Sequence, residues 1–418
     1  MIKPLYIFSL LVFFLSSCNV SKPTNYSFEA TKNSLHPQFL VYHHSNDLSE
    51  LYFKVNSEDL LYSRKNISEP FSAQLLLEYI IYKKNYKEIL DSGSFTMMDK
   101  YLDNKKPEID TNFHFKFLFS ELGNIDVKIT DVNRSRSYFE TITIDKLKVS
   151  NRQFFILKDS SENIIFNNYF NSGQTVFIES DFNKNNLFAT NNNTIFPLSP
   201  PPFSKSQQPI FPKKTSSSQQ LSFKNKRLSF TTPERGFIFF QLDTLTDLGF
   251  TLFNFRPDYP ELTDPRSLIA PLRYLTTNQE YNQILAKKNP KLAVDQYWLS
   301  KAASKERART LIRTYYSRIE LANKLFTCHL EGWKTDRGLI SVIFGAPSYV
   351  SQNKNVEIWN YGDDNNVNSL KFVFDRKVNP FSNNDFALKR NYSFKNPWYR
   401  AVESWRNGKV YIIQILRN

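Results

Sequence analysis

From Phe39 to Phe255 the chain keeps returning to one pattern. Short stretches that are apolar at every second position, or apolar throughout, are divided by clusters of Asn, Asp, Ser and Gly. Successive side chains of an extended strand point to opposite faces. Period-two patterning therefore marks a half-buried strand, and a short unbroken apolar run marks a strand buried on both faces. The first group comprises Phe39–Tyr42, Glu50–Val55, Ala73–Tyr82, Phe113–Phe119, Asn124–Ile129 and Tyr138–Ile144. The second comprises Gln153–Leu157, Asn163–Phe166, Thr175–Glu179, Gly236–Gln241 and Gly249–Phe255. Strands at this spacing predict two successive immunoglobulin-like β-sandwiches, residues 28–148 and 149–258, without the inter-sheet cysteine pair.

The second group is interrupted at 197–222, where Pro200-Pro201-Pro202, Ser216-Ser217-Ser218 and Gln219-Gln220 lower the complexity. This composition predicts a solvated, unpacked insertion. A loop within the second sandwich is favoured over an interdomain linker, because the strands after it need partners before it.

After residue 258 the period changes. Thr277-x-x-Glu280 is a capping box before a short helix that ends by Asn289-Pro290. A long helix is expected from Val294 to Leu330, with Ala308, Ile312, Tyr315, Ile319, Ala322 and Phe326 as its apolar stripe. Arg307, Arg309, Arg313, Arg318 and Lys324 fall largely off that stripe, as a solvated face does. Strands are expected at 339–344, 356–361, 369–375 and 409–416. Helix followed by strands implies an α+β module over 259–418, with the helix laid on an antiparallel sheet. The fold class is thus multidomain and mainly β.

Between helix and strands lies Gly332-Trp333-Lys334-Thr335-Asp336-Arg337-Gly338. Gly332 suits a left-handed helix cap, Trp333 an apolar anchor, and Gly338 a positive φ before a strand. Thr335 and Asp336 suit free backbone N–H groups, and Arg337 suits a carboxylate. The stretch reads as a corner, structural or partner-binding, with Trp333 buried and Asp336 paired.

These residues resemble the GWxTD-motif family of bacterial envelope proteins, which carry such a domain at the C-terminus. The match rests on Gly332, Trp333, Thr335 and Asp336 with Arg337-Gly338 and the Phe344-Gly345-Ala346-Pro347 turn. Asp295–Trp298, Tyr315–Asn323, Glu357–Tyr361 and Leu370–Asp375 add to it, so the resemblance covers about 260–418. It implies an address and an architecture, and no activity.

The N-terminus supports an envelope address. Met1–Pro4 is basic, Leu5–Leu15 is apolar but too short to span a bilayer, and Leu15-Ser16-Ser17-Cys18 resembles a lipobox. That resemblance implies a signal peptide at 1–17, acylation of Cys18 and a polar tether at 18–27. Two or more acyl chains anchor firmly. No acidic run follows Cys18, which favours the periplasmic face of the outer membrane. Export removes nucleic acid from the partners, although the formal net charge is +14. The dispersed Lys and Arg fit the amino-acid usage of an A+T-rich genome; attraction to anionic lipid or glycan is the second reading. With Cys18 acylated, Cys328 is alone and no intramolecular disulfide forms.

No catalytic set emerges. His43 and His44 point to opposite faces of a strand; His36, His114 and His329 have no ligand at zinc spacing; and Cys328-His329 diverge on a helix. Asp363-Asp364-Asn365-Asn366 reads as a polar turn. No cofactor and no metal are expected. The expected role is a non-enzymatic scaffold or accessory subunit in envelope assembly or secretion, with a protein partner. The alternatives are an envelope glycan or peptidoglycan binder using Trp398, Tyr399 and Trp405, and a hydrolase using Asp336.

Overall fold

The computed structural model describes residues 35, 37–84, 88–101, 108–182, 184–208, 218–353, 355–362 and 369–412. The signal peptide, Cys18, the tether, His36 and the turn at 363–366 lie outside the described residues. The chain is mainly β, in antiparallel sheets, with its helices gathered toward the C-terminus.

The first unit joins two sheets. One orders β1 (Gln38–His43), β2 (Leu48–Asn56) and β5 (Glu108–Lys116). The other orders β4 (Ile89–Lys100), β3 (Ser72–Lys83), β6 (Leu122–Asp131) and β7 (Arg136–Asp145). Val41, Leu51, Phe53 and Phe115 of one sheet meet Leu75, Leu77, Ile125, Val127 and Ile129 of the other in a shared core. β6 alternates buried and half-buried residues along its whole length, the pattern its sequence announced. β4 escaped the sequence reading because its Asp, Ser and Gly residues interrupt the apolar alternation.

The second unit is built from β8 (Ile156–Lys158), β9 (Thr175–Glu179), β10 (Asn186–Asn192), β11 (Ser218–Ser222), β12 (Arg227–Thr231), β13 (Gly236–Gln241) and β14 (Phe250–Asn254). The sheets run β12-β9-β8 and β11-β10-β13-β14. β13 and β14 are buried at every position. Ile238, Phe240, Phe250 and Leu252 fill the unit's own core, while Phe237, Phe239 and Phe253 face the other way onto Phe381. The unbroken apolar runs in the sequence thus record a sheet covered on both sides. Asn163–Phe166 is no strand; it makes only a bridge, Lys158 to Ile164.

The C-terminal module differs from expectation in four places. The long helix is two: α2 (Pro290–Lys301) and α3 (Lys305–Phe326), preceded by α1 (Asn278–Leu285). The Ser304 side chain accepts from the Arg307 N–H and starts a new helix where continuous periodicity suggested none. Residues 339–344 form no strand but α4 (Asp336–Phe344), N-capped by Thr335 and ended at Gly345, φ 85°. The expected strand at 409–416 is absent from its described part, 409–412; α5 (Lys395–Arg406) precedes it instead. Gly332 opens a single 3-10 turn, 332–334, rather than capping a helix with a left-handed residue. Strands β15 (Tyr349–Gln352), β16 (Val356–Tyr361), β17 (Leu370–Arg376) and β18 (Phe386–Leu388) form one antiparallel sheet in that order. A single core of residues from Leu262 to Trp405 binds the helices to this sheet. No helix among the described residues is long and apolar enough to cross a membrane.

Candidate functional site: the buried motif and its strap

Close backbone approach explains the two glycines of the motif. A Cβ on Gly332 would lie 1.9 Å from the Ala322 carbonyl oxygen of α3. A Cβ on Gly338 would lie 2.0 Å from the Gly332 carbonyl oxygen. The 3-10 turn therefore sits directly on α3, and α4 starts directly on the turn. Neither glycine has the positive φ that the sequence reading required of Gly338.

Between the glycines the polar side chains of Trp333, Lys334, Thr335, Asp336 and Arg337 are each engaged. Thr335 Oγ1 donates to the Gly332 carbonyl at 2.8 Å and accepts from the Gly338 N–H at 3.0 Å, the N-cap of α4. Trp333 is 1% exposed. Its indole N–H donates to Glu331 Oε2 at 2.9 Å, its backbone N–H to Asn323 Oδ1 at 3.2 Å, and its carbonyl accepts from the Tyr274 hydroxyl at 3.0 Å. Asn323 Nδ2 donates to the Pro260 carbonyl, so one side chain of α3 ties the turn to an earlier loop. Burial raises the Tyr274 phenol well above its ordinary range and keeps it a donor.

Asp336 is fully buried. Both its carboxylate oxygens are held by the Arg390 guanidinium, Nη1 at 2.9 Å from Oδ2 and Nη2 on Oδ1. The Leu388 N–H adds a bond to Oδ2 at 2.7 Å. The carboxylate also stands in the first turn of α4, where helix N–H groups favour negative charge. Arg337 points elsewhere. It donates to Glu357 Oε2 at 2.9 Å and to the Asn384 carbonyl at 2.8 Å, between the rings of Phe326 and Phe386. Glu357 in turn accepts from the Trp359 indole at 2.8 Å. Neighbouring Asp and Arg thus pair with separate partners and clamp α4 to β16 and β18.

The Pro-rich insertion, expected to be solvated, packs over this clamp in its described portion. Leu198 and Phe203 press on the C-terminal core. The Ser199 N–H donates to the Lys334 carbonyl, Arg390 donates to the Pro200 carbonyl, and the Asn391 N–H donates to the Pro202 carbonyl. Gln208 receives the Asp336 N–H at 2.7 Å and donates to Asp385 Oδ1 at 2.8 Å. Prolines favour extended backbone and lack an N–H, so their carbonyls are left free to accept from the module. Residues 198–208 form a strap from the second β unit across the motif.

The other candidates resolve individually. Cys328 and His329 are buried beside Asp385; His329 Nδ1 is 2.9 Å from Asn379 Nδ2, and burial pushes the thiol far above its ordinary range. Trp398 and Trp405 are buried, the latter donating to the Ile343 carbonyl, so they are not a sugar platform; exposed Tyr399 lies beside Phe203. Arg307, Arg309, Arg313 and Lys324 are exposed. Arg318 leaves that face to donate to the Val342 carbonyl near the end of α4, over the Trp405 ring. Arg390 and Gln208 escaped the sequence reading, and Glu357 and Asn323 entered it only as part of the family pattern with no role, because the fold, not local spacing, joins them to the motif.

Residues 236–407 match the family model of the GWxTD domain, which begins at β13 and ends just past α5. No curated protein matches the chain.

Proposed function

We propose, on the premise that this is a GWxTD-domain-containing protein, that it works as a non-enzymatic scaffold or accessory subunit in the cell envelope. In this reading Cys18 carries the lipid that anchors the chain to the periplasmic face of the outer membrane. The two β units are immunoglobulin-like spacers, and the C-terminal module meets a protein partner. One observation supports it above others: Asp336 is enclosed and saturated by Arg390 and the Leu388 N–H. A carboxylate so engaged organises a fold; a general acid or base needs access to a substrate proton. The chemistry of the motif, on this view, holds a surface in shape.

Crosslinking in intact cells, followed by mass spectrometry, tests the role. Recovery of one or more envelope assembly or secretion proteins supports it, and recovery of this chain alone overturns it. The anchor is tested separately by radiolabelled palmitate, which should enter the native chain and not a Cys18→Ala variant.

A further inference from the structure

A second cluster of titratable groups lies at the seam between the first two β units. Glu50 on β2 stands opposite His114 on β5 in the ladder, and His44 follows the end of β1. His44 Nε2 is 2.7 Å from Glu50 Oε2, and His114 Nε2 is 3.7 Å from Glu50 Oε1. One ligand atom from each residue lies within 4.8 Å of the other two. Asp181, just past β9 in the second unit, places Oδ2 2.8 Å from His44 Nδ1. Lys226 Nζ stands 3.3 Å from the other Asp181 oxygen.

The two carboxylates make opposed demands on His44. A neutral imidazole has one N–H and one lone pair, so it can donate to only one of them. The tautomer with its hydrogen on Nδ1 donates to Asp181. With Nδ1 carrying the hydrogen, the Nε2 lone pair faces Glu50, which is 3% exposed and also partnered by the Tyr52 hydroxyl; a cation between Nε2 and the carboxylate reconciles the two acceptors, as a proton on Nε2 would. Zinc bonds of about 2.0–2.2 Å in a tetrahedron set neighbouring ligand atoms roughly 3.3–3.6 Å apart. The 3.7 Å pair lies near that separation, and the 2.7 Å pair, at hydrogen-bond length, must open to admit the ion. The His114 side chain is 55% exposed and free to adjust. A carboxylate on the far nitrogen of a metal-bound histidine is also the usual means of fixing its tautomer and orientation.

The geometry points to a divalent-metal site of the zinc type, with His44 Nε2, Glu50 and His114 Nε2 as ligands and Asp181 as the positioning residue. The remaining coordination position opens to solvent on the His114 side. Because Asp181 belongs to the second unit and the three ligands to the first, the ion ties one unit to the other through His44.

The test uses the full chain, stripped with a chelator and titrated with Zn²⁺ by calorimetry and with Co²⁺ by absorption. One saturable equivalent is expected, with cobalt bands of nitrogen and oxygen ligation and no thiolate charge-transfer band. His114→Ala, at an exposed ring, should keep the circular dichroism spectrum and weaken binding at least about tenfold. Asp181→Asn should weaken it about 10- to 100-fold, as loss of an outer carboxylate does. Cys328→Ser should change nothing. No saturable binding, binding indifferent to His114→Ala, or a thiolate band that vanishes with Cys328→Ser would each overturn the proposal; the last would move the ion to the buried Cys328, His329 and Asp385.

Discussion

At the scale of single residues, the motif is a set of contacts without slack. Gly332→Ala puts a methyl group into the Ala322 carbonyl, which α3 cannot withdraw. The expected loss is about 1–3 kcal/mol or more, read by chemical denaturation. Trp333→Ala should cost about 3–5 kcal/mol, because a buried indole leaves a cavity. Asp336→Ala exceeds a simple lost hydrogen bond. It strands the Arg390 guanidinium, only 3% exposed, so about 3–5 kcal/mol is expected for breaking one partner out of a buried pair. The Asp336→Ala/Arg390→Ala double variant should lose less than the sum of the two singles. Additive losses would show that the pair is not coupled. The sequence announced Trp333 as an anchor and Asp336 as an acceptor, since residue type limits what each can do. It could not announce Arg390, which lies 54 residues away.

At the scale of elements, α4 shows why local reading fails in a core. Leu339-Ile340-Ser341-Val342-Ile343-Phe344 has the β-branched, apolar character of a buried strand. Every residue of α4 is buried, so packing outweighs the modest helix penalty of β-branched residues. The overlooked signals were at the ends: Thr335 before Asp336, an N-cap with an acid in the first turn, and Gly345 as the stop. The strap was misread for a related reason, since proline-rich composition describes what a segment cannot pair with itself and not what another surface accepts. Gln208→Ala should leave the buried Asp336 N–H unpaired and lower stability by about 1–3 kcal/mol in thermal or chemical melts. A pH effect belongs to another junction. Glu280 closes the capping box of α1 and accepts from Arg406 of α5 and Lys301 of α2, and the Arg406 hydrogen bond leads in drawing its carboxyl down to about 2. A lowered folded-state pKa stabilises above the ordinary value of 4.5 and loses that contribution as pH falls toward 2. Glu280→Gln should therefore flatten the acid limb of stability between those values and leave the direction of the neutral-to-basic limb unchanged.

At the scale of the whole molecule, β13 belongs to two structures. It pairs with β10 and β14 inside the second unit, yet it opens the GWxTD match and presents Phe237 and Phe239 to Phe381. A fragment of residues 236–418 loses β10, the first unit and the strap together. It should be protease-sensitive and lack a sharp thermal transition, whereas residues 149–418 should melt cooperatively. Equal cooperativity of the two would show that the strap and β10 are dispensable. That the chain is mainly β, with its helices toward the C-terminus, was legible because periodicity changes along the chain. The sharing of β13 was not, since a two-faced apolar run looks alike whichever body covers its second face.

The strap also bears on mechanics. Between the second unit and the C-terminal module the chain passes once through the backbone after β14, and residues 198–208 reach across a second time. A single tether is a swivel, and torque applied to one side is lost as rotation. Two separated attachments leave fewer free rotations than one, and the Phe237 and Phe239 contacts with Phe381 add a further point of contact. A load taken up by the C-terminal module is then passed into the β units as a lever arm would pass it. Because the strap bonds the Asp336 N–H and the Arg390 guanidinium, the second attachment lies on the motif itself.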